Sequence, residues 1–138
     1  MKANEKKDVP LPQLPRGAGN VDSDAATTLT DTQSGLKYRV LRKGNGEAPR
    51  ATSTVKVNYH GWLDNGTVFD SSYKRGEPIS FPLNRVIKGW TEGMQLVNNG
   101  GMIELTIPAN LGYGVRGAPP DIPPGATLHF LVELLAVE

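Results

Sequence analysis

The residues of this chain whose types could do chemistry are mostly aromatic. Tyr59, Phe69, Phe81, Trp90 and Phe130 fall at inward positions of expected strands or at the start of an expected helix, and Tyr113 sits in a glycine-flanked loop. Asp70 directly follows Phe69. Such a set can simply be a packed core, since large rings dominate ordinary interiors. Gathered under one short helix, however, the rings leave the polar ends of Tyr59 and Trp90 needing partners and put a carboxylate at the edge of an apolar patch. An apolar hollow with a few placed polar groups is the make-up of a small-ligand site. Other chemistries are poorly supplied. His60 and His129 share strand faces with Lys56 and Glu133, which makes them solvated rather than catalytic, and no Gly-x-Ser-x-Gly elbow accompanies them. No His, Asp and Glu cluster has metal-ligand spacing, so neither metal nor cofactor is expected. Cysteine is absent, which excludes thiolate chemistry and disulfides. Gly44-x-Gly46 has no helix after it and reads as a turn, not a phosphate cradle.

The elements that must position these residues follow from period. Val86-Ile87-Lys88-Gly89-Trp90 leads into Thr91–Val97, a short helix with Trp90 in its first turn. Residues 36–42, 54–62, 67–72, 79–83, 102–107 and 127–137 read as strands. Val55, Val57 and Tyr59 share one face, as do Ile103, Leu105 and Ile107, and Leu128, Phe130, Val132 and Leu134; Glu104 and Thr106 point outward. Asp64-Asn65-Gly66 predicts a tight two-residue hairpin, because Asn-Gly tolerates positive φ. Residues 108–125 form a long loop, and loops of that length in compact domains usually carry function. One helix must cover the apolar side of a mostly antiparallel sheet, so the fold class is α+β.

The chain has 138 residues, 38% hydrophobic and 21% charged, enough for one domain with an extension. Fifteen basic residues against 14 acidic leave a net charge of +1, which argues against a nucleic-acid surface. No apolar run approaches the roughly 18 residues of a membrane span, and the polar first residues lead to the expectation of no signal peptide in this sequence. The compartment is therefore open: cytoplasmic, or exported after removal of a leader. Residues 1–33 have no period. A lead containing Lys2, Lys6, Lys7, Pro10, Pro12 and Pro15 gives way to small polar residues, a composition expected to stay flexible. The domain proper is expected over 34–138.

Several ordered blocks carry a resemblance. Val57-x-Tyr59-x-Gly61, Gly66-x-x-Phe69-Asp70-Ser71-Ser72, Val86-Ile87-x-Gly89-Trp90-x-Glu92-Gly93, Leu111-Gly112-Tyr113-Gly114 and Ile122-Pro123-Pro124-x-Ala126-Thr127-Leu128-x-Phe130 resemble an FKBP-type peptidyl-prolyl cis–trans isomerase. Residues 72–78 and 81–84 look most like the bacterial branch with Mip-like and periplasmic members. The resemblance implies an antiparallel half-barrel sheet wrapped around one short helix, with the active cleft between them. By position it implies catalytic roles for Asp70, Tyr113, Phe69 and the Ile87 backbone. Tyr59, Arg75, Phe81, Val86, Trp90, Ile122 and Phe130 would bind substrate. The implied partners are proline-containing peptides, unfolded proteins and rapamycin-like macrolides. The long dimerisation helix of Mip-like proteins is missing, so a monomer is expected. Ile79, Ala118 and Pro120-Asp121 depart from the family pattern, which bears on macrolide affinity and substrate preference. A peptide-holding module that uses the same cleft with little turnover is the alternative. Asp70 has two readings: it orients the site, or it is a salt bridge to Arg75 that fixes a loop.

Overall fold

The computed structural model describes residues 7–138. Its strands are β1 (Thr30–Asp31), β2 (Lys37–Arg42), β3 (Thr54–Leu63), β4 (Val68–Ser71), β5 (Ile79–Pro82), β6 (Met102–Ile107) and β7 (Leu128–Val137). They form one open antiparallel sheet in the order β1-β2-β6-β7-β3-β4, and β5 pairs with the first half of β3. Two short helices interrupt them, a single turn α1 (Ser72–Arg75) and α2 (Lys88–Gly93). The expected α+β fold with one helix over the sheet is what forms.

The inward faces are those the alternation predicts. Val55, Val57, Ile103, Leu105, Ile107, Leu128, Val132 and Leu134 are fully buried. What brings α2 onto this face is a pair of glycines four residues apart, one helical turn, on the side toward β6. A Cβ on Gly89 would lie 2.6 Å from Ile107 Cγ2, and one on Gly93 would lie 2.6 Å from Leu105 Cδ2. No side chain fits at either place, so the helix axis sits close enough to the sheet to plant Trp90 in the core. α2 gives way to a 3₁₀ turn at Met94–Leu96, so the helix expected through Val97 is α-helical only to Gly93.

The hairpin at 64–66 is longer than expected. Gly66 N–H donates to the Leu63 carbonyl, Leu63 N–H donates to Thr67, and only Gly66 takes a positive φ, 87°. Asn65 spends its side chain instead, its Oδ1 accepting from Thr67 N–H at 3.0 Å. The turn is therefore Asp64-Asn65-Gly66.

The outer face departs furthest from the sequence reading. Glu104, expected in solvent, is buried, and the described part of the first 33 residues reaches across the sheet beside it. Register explains this: β2 and β6 place Arg39 opposite Glu104, and the guanidinium donates to Glu104 Oε1 from Nε at 3.0 Å and from Nη2 at 2.6 Å. Its remaining donors reach the Val9 carbonyl at 2.8 Å and the Pro10 carbonyl at 3.1 Å. Leu41 lies on the same outer face as Arg39, beside a bulge between Val40 and Arg42, and buries there with Met102 and Leu131 against Val21, Ala25 and Trp62. The segment thus docks through backbone groups, a few small apolar side chains and the Asp22 carboxylate, which accepts from Lys43 N–H at 2.9 Å, features that low average hydrophobicity conceals. Lys2 and Lys6 lie outside the described residues.

Candidate active site

The cleft opens where α2, β3–β5, β7 and the long loop meet. α2 supplies Trp90 as its floor, and the indole is only 4% exposed yet lines the opening. Tyr59, Phe81 and Phe130 stand edge-on around it, with ring centroids 5.4, 5.6 and 5.4 Å away at 86°, 79° and 89°. Phe69 meets Phe130 the same way, at 5.4 Å and 88°. Edge-to-face packing is favourable by about 0.5–1.5 kcal/mol per pair beyond area burial, so the walls are held by each other and need no occupant. Gly61, between Tyr59 and Trp62 on β3, leaves the room that the Phe69 and Phe130 rings occupy; a Cβ there would lie 2.6 Å from Phe69 Cζ and 2.8 Å from Phe130 Cε1. The enclosed volume is about 470 Å³. A larger hollow of about 780 Å³ lies on the other face of β3 and shares none of these residues.

Three polar groups close one edge. Tyr59 Oη donates to Asp70 Oδ2, Arg75 Nη1 donates to Asp70 Oδ1, and Arg75 Nη2 donates to Tyr59 Oη at 3.1 Å. The one-turn helix α1, ended by Gly76 at φ 78°, aims Arg75 back at β4. Partial burial pushes the Asp70 carboxyl up, but the hydrogen bonds from Tyr59 and Arg75, with the guanidinium charge, together outweigh it and hold it below the ordinary carboxylate range. Burial first, then the bond to Asp70, raises the Tyr59 hydroxyl. The two readings of Asp70 therefore meet in one group: it pairs with Arg75 and also orients a wall ring.

Two donors of cleft-lining residues have no partner among the described residues. The Ile87 N–H precedes α2, while the Ile87 carbonyl already accepts from Trp90 and Thr91 N–H at 3.0 and 3.2 Å. Tyr113, 43% exposed, presents a free hydroxyl from the long loop. That loop is folded on itself: Ala118 and Ile122 exchange backbone bonds at 2.8 and 3.0 Å, and Gly125 N–H donates to Gly114 at 2.9 Å.

Of the eleven residues expected at the site, nine line the cleft: Tyr59, Phe69, Asp70, Phe81, Val86, Ile87, Trp90, Tyr113 and Phe130. Arg75 stands behind Asp70 and acts through it. Ile122, 5% exposed and in the same core cluster as Trp90 and Phe130, stands outside the cleft lining, in the backbone bridge it makes with Ala118. Arg85 lines the cleft and was missed. It is a lone cation in a polar connection, and nothing in its local sequence separates it from a solvated surface residue. Ile79 is 37% exposed and stands outside the cleft lining.

The profile of a family described as FKBP-type peptidyl-prolyl cis-trans isomerase matches residues 45–135. The chain belongs to that family. Over 106 residues this FKBP domain is 56% identical to a probable FKBP-type peptidyl-prolyl cis-trans isomerase of Haemophilus influenzae, covering 77% of the chain and 44% of the relative. Over 105 residues it is 50% identical to the peptidyl-prolyl cis-trans isomerase Mip of Coxiella burnetii, covering 76% and 46%. The crystal structure of FkpA from Escherichia coli superposes with a TM-score of 0.77 at 52% identity, over 80% of this chain and 51% of that one. The chain thus spans about half the length of these relatives. No helix among its described residues is long and apolar enough to cross a membrane.

Proposed function

We propose that this FKBP domain catalyses cis–trans isomerisation of X–Pro bonds in polypeptides, by a non-covalent mechanism inside the Trp90-floored cleft. The observation that carries the reading is the open apolar hollow itself, with rings braced edge-on and a loop tyrosine among its lining residues. Rotation about a peptide bond costs about 18–20 kcal/mol because it breaks amide resonance. Charge separation in the planar amide is favoured by water and by hydrogen bonds to its carbonyl oxygen, and it is lost in the twisted form. An apolar, water-poor cleft therefore disfavours the planar amide relative to the twisted one, which is differential binding of the transition state. The proline ring rests on Trp90, between Tyr59, Phe81 and Phe130. Ile87 N–H holds a flanking substrate carbonyl, Tyr113 Oη donates at the mouth, and Asp70 keeps Tyr59 and Arg75 in place. A macrolide such as rapamycin would compete for the same walls.

Phe69→Leu and Tyr113→Phe are each expected to lower kcat/KM by about two- to tenfold, the loss of part of one wall or one hydrogen bond of about 0.5–1.5 kcal/mol. Far-ultraviolet circular dichroism should stay unchanged. A protease-coupled proline-peptide assay reads the rate, and unaltered turnover in both variants would reject the assignment. Refolding of a proline-limited protein separates an isomerase from a peptide-holding module, because only the former accelerates the slow phase of tens of seconds or longer.

The site also predicts a pH profile. Asp70 is held below its ordinary value of about 3.9 and Tyr59 above its ordinary value of about 10, so neither changes state near neutrality. No proton is transferred in the proposed reaction. kcat/KM should accordingly be flat from about pH 5 to 9, without the bell of acid–base catalysis. Because the folded-state value of Asp70 is depressed, its contribution to stability is present above its unfolded value and disappears as pH falls through the folded one. A loss of activity with midpoint near neutrality would contradict this scheme.

A further inference from the structure

The larger hollow, about 780 Å³, has no part in the proposed reaction. It lies on the outer side of β3 and β4, where His60 and Trp62 alternate with the inward Tyr59 and Gly61. Its other wall is the stretch Pro12–Arg16. That stretch is a strap tied at both ends. On one side the Val9 and Pro10 carbonyls accept from Arg39. On the other, Gly19 N–H donates to Glu133 Oε2 at 3.1 Å and the Asn20 carbonyl accepts from Arg42 at 3.0 Å. Between those ties the strap passes beside an open groove instead of collapsing onto the sheet.

The groove's chemistry is one-sided. Trp62, Val68 and Leu14 make its apolar surface, while Arg16 and Lys74 are exposed cations with no ion-pair partner among the described residues. No carboxylate lines it. The Tyr73 hydroxyl is committed, donating to Glu133 Oε1 at 2.5 Å, and His60 Nδ1 pairs with Ser71 Oγ at 2.8 Å. The Trp62 ring stacks on His129 at 5.7 Å and 13°, but its indole N–H has no acceptor among the described residues. What the groove offers a ligand is therefore two exposed positive charges and one neutral donor around an apolar floor. We infer that this groove is a second polypeptide-binding site, separate from the cleft, that takes an extended acidic segment carrying an apolar side chain. The apolar side chain rests on Trp62 and Val68, and flanking carboxylates meet Lys74 and Arg16.

The test is a ¹⁵N-heteronuclear NMR titration of the whole chain with a proline-free peptide alternating glutamate and leucine, and with its lysine-for-glutamate analogue. The acidic peptide should shift the Trp62 indole resonance and the amides of Gly66 and Lys74, leave the Trp90 indole in place, and bind more weakly as salt rises. The Arg16→Glu, Lys74→Glu double variant should weaken it by at least about fivefold, since two exposed pairs are replaced by repulsions. Lys74→Gln alone should give an intermediate loss, and it serves as the reading if the double variant is misfolded. Shifts centred on Trp90, equal binding of the lysine analogue, or no response at millimolar peptide would each overturn the inference.

Discussion

Glu104→Gln is expected to destabilise the protein by about 3–5 kcal/mol in urea denaturation, because it strands the Arg39 charge in a dry place. The Arg39 side chain is 0% exposed and that of Glu104 is 8% exposed, so water cannot replace the lost carboxylate. The guanidinium also holds the Val9 and Pro10 carbonyls, and a charge that shifts to find a new partner would loosen the strap with it. A paired replacement, Arg39→Met with Glu104→Met, should recover much of the loss, since an apolar pair of similar volume needs no partner. If Glu104→Gln costs no more than an ordinary surface change of about 0.5 kcal/mol, the buried pair does not anchor this face.

Gly61→Ala should separate activity from stability. The added methyl has no space, because Phe69 and Phe130 already stand where it must go. Both are ring edges and Phe69 is only half-buried, so the rings can yield by swinging, and the opening beside them is the cleft. Overpacking of this kind costs about 1–3 kcal/mol. Relieved into the cleft, it narrows the proline slot, and kcat/KM should fall by about tenfold or more while the thermal midpoint drops by a few degrees. Unchanged kcat/KM with a lowered midpoint would mean that the rings yield away from the slot and that Gly61 serves packing alone.

The same two regions show where sequence ends and tertiary structure begins. Alternation along β3, β6 and β7 and the position of Trp90 were readable because a half-buried strand or helix writes its buried face into the local period. The cleft walls followed, since each wall ring belongs to such an element. Residues whose placement depends on distant partners were not readable. Arg39 and Glu104 are 65 positions apart and meet only through the register of β2 on β6. Glu104 looked solvent-facing because the alternation cannot say what lies on the outer face. Ile122 entered through the resemblance alone and stands outside the cleft lining, and Arg85 became a cleft residue only through the path of the connection into α2.

The antiparallel sheet, the short helix carrying Trp90 and the ring set were legible in the chain alone, since these depend on periods of two and 3.6 and on side-chain size. Only the tertiary structure decided that the described part of the first 33 residues covers the outer face. Much of its attachment runs through backbone carbonyls and amides, which every residue possesses and no side-chain pattern records, joined by Val21, Ala25 and the Asp22 carboxylate.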